Sequence, residues 1–206
     1  MLAHLFFKIK TYINYRLVAV NAHGLHSPFL FDFYNEVIVA KKEFYFFKQF
    51  RELISTYSKS TSEANAMFLY RWASFYQPNS VFVPSGNFIA SLALSVPNAH
   101  KALSVSSIQC FSEYERGVFK QLDVSVLENR NSELIYLDEI DAHTEAEISD
   151  YKCVIVYKPH ENKHKDFIWE NLCSLKVVTI SIDLFQFGIL LMNRNQAKQH
   201  FVVKMR

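Results

Sequence analysis

From Pro78 onward the chain alternates between short runs of β-forming apolar residues and helical stretches, and this alternation constrains its fold most strongly. The runs are Val81–Val83, Ala102–Val105, Leu134–Leu137, Cys153–Tyr157, Val177–Ile182 and Phe187–Met192. Helical segments at about 87–96, 107–122 and 163–175 separate most of them. Strands alternating with helices build βαβ units and therefore a mostly parallel sheet. Only Asp183–Gln186 joins the last two runs, which is too short for a crossover, so these two are expected to pair antiparallel. The expected fold is α/β, a Rossmann-like sheet that is mostly parallel and carries an antiparallel hairpin at its C-terminal end. No internal repeat or low-complexity tract interrupts it.

The part before Pro78 reads as helical. Leu2, Leu5, Phe6, Ile9, Ile13, Leu17 and Val20 recur at helical spacing and predict an amphipathic helix over 2–21. Gly24 suits a left-handed position just after it, and Ser27-Pro28 reads as N-cap and first residue of a second helix. Phe29, Leu30, Phe33, Val37 and Ile38 would form one face of that helix. A third segment, about 41–58, is marked by Phe44, Phe47, Phe50, Ile54 and Tyr57, and a fourth runs from Glu63 to Tyr76. The expected division is a helical extension over 1–60 and a sheet domain over 61–206.

Glycine content restricts the chemistry. The 206 residues include only four glycines, Gly24, Gly86, Gly117 and Gly188, where average usage would give about 14. None lies close enough to another to build G-x-G-x-x-G, a P-loop or G-x-S-x-G, so the standard phosphate loops and the hydrolase elbow are excluded. Half the residues are hydrophobic and 20% are charged, which excludes disorder. The net charge of +2 gives no reason to expect nucleic acid or another polyanion as a partner. That balance conceals an acidic stretch, because residues 121–150 hold nine acids against Arg130 alone, and it reads as a solvated face. Cys110, Cys153 and Cys173 form no C-x-x-C pair and read as reduced thiols of a cytoplasmic protein. No run reaches the ~18 apolar residues of a membrane span. The start, which meets Lys8 and Lys10 at once, does not resemble a signal peptide.

Several clusters could carry chemistry. His160-Glu161-Asn162-Lys163-His164 is a literal H-E-x-x-H, which on a helix would aim two imidazoles at one zinc ion. Its context opposes a zinc hydrolase, since Pro159 precedes it, its flanks are polar, and the only later acids are Asp166, Glu170 and Asp183. The zinc site stays an alternative, and no metal is expected. His23 and His26 flank Gly24 and could share a metal, but a capped helix corner accounts for the same residues. The aromatic 44–57 segment with Lys48 and Arg51 could contact nucleic acid, yet its helical period fits core packing better. Ligands of open α/β sheets bind beyond the carboxyl ends of the strands. Here those ends are Pro84-Ser85-Gly86-Asn87, Ser106-Ser107 and Tyr157–His160.

At these residues the chain resembles class I S-adenosylmethionine-dependent methyltransferases, specifically a bacterial family with a helical N-terminal extension. The likeness rests on His23-Gly24-Leu25-His26-Ser27-Pro28-Phe29, on the passage from Leu69 to Ala99, and on Trp169 through Phe201 with its Thr179–Gly188 core. It implies a methyltransferase-type sheet and S-adenosylmethionine as cofactor. Ser85, Gly86, Asn87 and Ser106 then stand at the cofactor-binding positions and His160 at the catalytic one.

The departures fall on that chemistry. Val83-Pro84-Ser85-Gly86-Asn87 has no acid and one glycine where the family has an acid and a glycine-rich loop. Ser106 replaces the ribose-binding acid, and of the family's Asp-Gly-x-His only His160 survives in Tyr157-Lys158-Pro159-His160. Two readings follow. The first is a degenerate, non-catalytic scaffold that binds no cofactor and serves as a structural or partner-binding module, with a protein partner or a second copy engaged through the N-terminal helices. The second is an active methyltransferase with a divergent pocket and His160 as its base. The cationic first helix would dock on the sheet domain or on a second subunit, or lie on a membrane surface.

Overall fold

The computed structural model describes residues 2–21, 27–41, 43–57, 61–98, 102–192 and 195–205. His23, Gly24 and His26 lie outside the described residues. The chain forms two compact units, His26–Glu133 and Met1–Leu25 with Leu134–Arg206.

The unit His26–Glu133 begins with α2 (Pro28–Phe33), whose Pro28 takes the first helical turn where its missing N–H costs nothing. The helix widens into a π-helical turn over Tyr34–Ile38, followed by α3 (Phe46–Tyr57) and α4 (Glu63–Tyr76). Helix α3 starts later than its apolar period suggested. Ser62 caps α4 by accepting from the Asn65 N–H, and Gln77 ends it in the left-handed conformation. An aromatic core joins these helices: Phe44, Phe47 and Phe50 pack edge-on against the Tyr70 ring, and Phe33 meets Trp72 edge-to-face at 5.2 Å. The apolar face of the 44–57 segment is interior, with Phe46, Phe47, Phe50 and Leu53 buried, while Tyr45, Lys48 and Arg51 are exposed.

Three parallel strands complete this unit: β1 (Ser80–Phe82), β2 (Ala102–Ser104) and β3 (Ser125–Leu127), with β2 in the middle. Helix α5 (Phe88–Ser95) follows β1, capped by Asn87. The helix expected over 107–122 divides in two. Ser107 caps a 3-10 turn over Ile108–Cys110, and Ser112 starts α6 (Glu113–Gln121) with a capping box closed by Glu115. Strand β3 escaped the sequence reading because it has three residues and no buried side chain.

The second unit holds α1 (Leu2–Val18), β4 (Leu134–Leu137), α7 (Thr144–Ile148), β5 (Cys153–Tyr157) and α8 (Lys163–Ser174). It ends with β6 (Val178–Asp183), β7 (Phe187–Met192) and β8 (Gln199–Val202). Strand β4 runs parallel to β5, and β7 inserts antiparallel between β5 and β6. The final hairpin is thus antiparallel, as its short connection Leu184–Gln186 requires, and β8 adds parallel to β6 at the edge. Strands β5, β6 and β7 are apolar because they are interior, whereas β8 is polar and partly exposed, which hid it in the sequence. Trp169 packs on β7 at Gly188, where an added Cβ would lie 2.4 Å from the indole.

Candidate functional site

In the His26–Glu133 unit, the strand ends place Ser85, Gly86, Asn87 and Ser106 in two adjacent loops. The chain leaves β1 through a tight turn in which the Gly86 N–H donates to the Val83 carbonyl at 3.1 Å. Gly86 has φ +64°, a left-handed conformation that glycine adopts without strain. Its open face is taken by Cys110 from the 3-10 turn after β2: a Cβ on Gly86 would lie 2.1 Å from the Cys110 Sγ. Asn87 is committed to helix capping, its Oδ1 accepting from the Ala90 N–H at 3.1 Å, and it bonds Thr61 as well. Ser85 is exposed and accepts from the Asn87 N–H.

Ser106 is exposed beyond β2, and residues 102–110 contain no acid. The carboxylate that reaches this loop is Glu128, from beyond β3, and it accepts from the Ile108 N–H at 2.5 Å. Ser104 donates to Asn129.

In the other unit, His160 lies in the turn between β5 and α8 and is 9% exposed. Its Nδ1–H donates to Asp166 Oδ1 at 2.5 Å and its Nε2–H to Asp183 Oδ2 at 2.8 Å. Both nitrogens can donate at once only in the imidazolium form. Burial alone would lower the pKa of this imidazole. The hydrogen bonds and charges of Asp166 and Asp183 outweigh burial and raise it to about 9. The Phe185 ring stacks on the imidazole at 5.4 Å and 23°. Phe185 is held there in a left-handed conformation, φ 65°, by an Asx-type turn in which its N–H donates to Asp183 Oδ1 at 2.7 Å. Asp183 therefore orients both the imidazole and the ring that covers it.

The H-E-x-x-H stretch does not form a helical pair of ligands. Helix α8 begins at Lys163, with Asn162 as its cap, so His160 precedes the helix while His164 is exposed on it. Glu161 is engaged by Lys165, whose ammonium also meets the Asp138 carbonyl at 3.0 Å and Glu139 at 2.8 Å. Among the described residues no group of three or more His, Cys, Asp and Glu side chains could hold a metal ion.

Beside the His160 cluster a cavity of about 330 Å³ is lined by Trp169, Glu170, Cys173, Asp183 and His200. Burial pushes the Cys173 thiol up to about 12, so it stays protonated, and it lowers the pKa of His200, whose Nδ1 lies 2.8 Å from Ser181 Oγ. Asp166 and Asp183 as partners of His160 were not anticipated. One signal was available, because Asp183 ends a strand at the edge where such sheets place their chemistry. Asp166 had none, being six positions from His160 across a helix cap.

No family model matches the chain, and no curated protein sequence does. Solved structures do. A methyltransferase from Geobacter sulfurreducens is 10% identical with a TM-score of 0.54, over 76% of this chain and 92% of that one. A SAH-bound methyltransferase from Podospora anserina is 12% identical with a TM-score of 0.53, over 76% and 91%. An O-methyltransferase from Bacillus cereus in complex with SAH is 8% identical with a TM-score of 0.50, over 74% and 93%. At this identity the likeness is one of architecture: the chain has the Rossmann-like fold of these methyltransferases.

Proposed function

We propose that this chain is a methyltransferase-fold protein that has given up cofactor chemistry and serves as a structural or partner-binding module. The observation that carries the reading is the contact of Cys110 with Gly86. In sheets of this type the loop after the first strand approaches a nucleotide-like ligand through glycine backbone, and an acid at the end of the second strand holds the ribose. Here a thiol fills the space that Gly86 leaves open, and Ser106 stands where the acid would be. Each ribose hydroxyl buried without its partner would cost about 1–3 kcal/mol. The residues present do not fit S-adenosylmethionine, and no step is assigned through it.

His160 supports the same reading. A general base must be deprotonated near the working pH and must offer a free nitrogen. An imidazole raised to about 9 with both nitrogens donating to carboxylates offers neither. It is a structural cation. A protein partner or a second copy engaged through the N-terminal helices other than the outward face of the first, and a cytoplasmic location, belong to this reading. No helix among the described residues is long and apolar enough to cross a membrane.

The competing reading is an active methyltransferase with a divergent pocket, in which Ser85, Gly86, Asn87 and Ser106 touch the cofactor. It draws on the SAH found in two of the similar structures. Calorimetric titration with S-adenosylmethionine and S-adenosylhomocysteine separates the two. The scaffold reading expects no heat of binding at millimolar ligand. Micromolar binding that weakens in Ser106→Ala would overturn it.

A further inference from the structure

Helix α1 is packed with its more apolar face outward. Tyr15 is the buried side chain of this helix among those described, and Phe7 and Thr11, on the same side, are half-buried. The anchor is polar: Tyr15 Oη donates to the Val203 carbonyl at 2.6 Å, and its ring lies 5.2 Å from that of Phe185. On the opposite side Leu5, Phe6, Ile9, Ile13 and Leu17 are between 50% and 78% exposed. Their spacing places them on one stripe, which at 1.5 Å per residue runs about 18 Å from Leu5 to Leu17. An exposed apolar stripe of this length needs an occupant.

The charges select its chemistry. Helix α1 contains Lys8, Lys10 and Arg16 and no acid. Lys10 borders the stripe and Arg16 emerges within it, both exposed, whereas Lys8 is half-buried on the Tyr15 side, where its charge acts on Glu161. The exposed Phe167 of α8 extends the apolar surface across a groove that Lys10 and Lys163 also line. Asp166 and Glu170 line that groove too, but Asp166 is paired with the His160 imidazolium. Two copies packed α1 against α1 would bring Lys10 and Arg16 of each together without an acid from either helix, which opposes self-association through this face.

We infer that the outward face of α1 docks on an anionic lipid surface, lying in the interface plane with its apolar stripe among the acyl chains and Lys10 and Arg16 at the headgroups. The anchored Tyr15 side keeps the helix on the sheet while the stripe is buried in lipid. This inference rests on reading the chain as a module that acts through its surfaces. Vesicle binding and cofactor titration are separate measurements, so either can fail alone.

The test is cosedimentation of the full chain with vesicles of phosphatidylcholine mixed with phosphatidylglycerol, and with vesicles of phosphatidylcholine alone. Binding to the anionic vesicles is expected to be at least tenfold tighter and to fall as salt rises, a reading that needs no variant. Phe6→Ser with Ile13→Ser, and separately Lys10→Glu with Arg16→Glu, should each weaken it at least tenfold while keeping the wild-type unfolding midpoint, because these side chains face solvent. Absence of binding, equal binding to both vesicle types, or full binding by both double variants would overturn the inference. So would a concentration-dependent dimer in sedimentation velocity that the Phe6→Ser, Ile13→Ser chain cannot form.

Discussion

The clamp on His160 makes the stability of this protein fall with rising pH in a calculable window. In the unfolded chain the imidazole titrates near 6.5, and in the fold near 9. Raising a pKa by that interval corresponds to about 3 kcal/mol of preference of the folded state for the imidazolium. The folded value lies above the unfolded one, so this contribution is complete below pH 6.5 and disappears as pH rises through about 9. Near pH 8 about half of it is left. The group is 9% exposed, so solvent screening removes little of the effect. Urea unfolding of the wild type and of His160→Gln from pH 6 to pH 10 measures it. Other groups titrate in both proteins and cancel in the difference. The expected result is a wild-type advantage that is large at pH 6 and shrinks by about 3 kcal/mol by pH 10. Parallel stability curves for the two proteins, or an imidazole seen by NMR to titrate near 6.5 in the fold, would refute both the clamp and the argument that His160 is not a base.

Gly188→Ala should destabilise the fold by about 1–3 kcal/mol in urea unfolding, because its Cβ would lie 2.4 Å from the Trp169 indole with strands on either side of β7. Asn162→Ala should cost about 1 kcal/mol, since Asn162 Oδ1 accepts from both the His164 and Lys165 N–H groups at the start of α8. Protein purified without chelator should carry no stoichiometric zinc by metal analysis. His164→Ala should stay within about 0.5 kcal/mol of wild type, because His164 is an exposed side chain on α8 rather than a ligand.

Much of the architecture was legible because its signals are local. The bounds of α4, β4, β5 and β7 coincide with their apolar runs, and the antiparallel hairpin follows from a connection too short for anything else. The elements that went unread are those without an apolar signature. Strand β8 takes its identity from pairing with β6, and β3 from pairing with β2, so neither needs a hydrophobic run. The interruption at Cys110 was written locally, in the Ser112–Glu115 capping box, but it was masked by the helical propensity on both sides.

The candidate site divides along the same line. Residue identity was enough to show that Val83–Asn87 carries one glycine and no acid and that a serine stands at position 106, since that is a statement about side-chain chemistry alone. Identity could not show that a thiol 24 positions further on closes over Gly86, or that the surviving His160 is held between Asp166 and Asp183. Nor could the period of α1 tell which face would be buried. Helical spacing reveals that an apolar stripe exists, and here a hydrogen bond from Tyr15 to the distant Val203 turns that stripe toward solvent. Composition and periodicity act over a few residues and set the elements. Proton affinity, occlusion and facing depend on contacts between residues far apart in the chain, which exist only once the elements are packed.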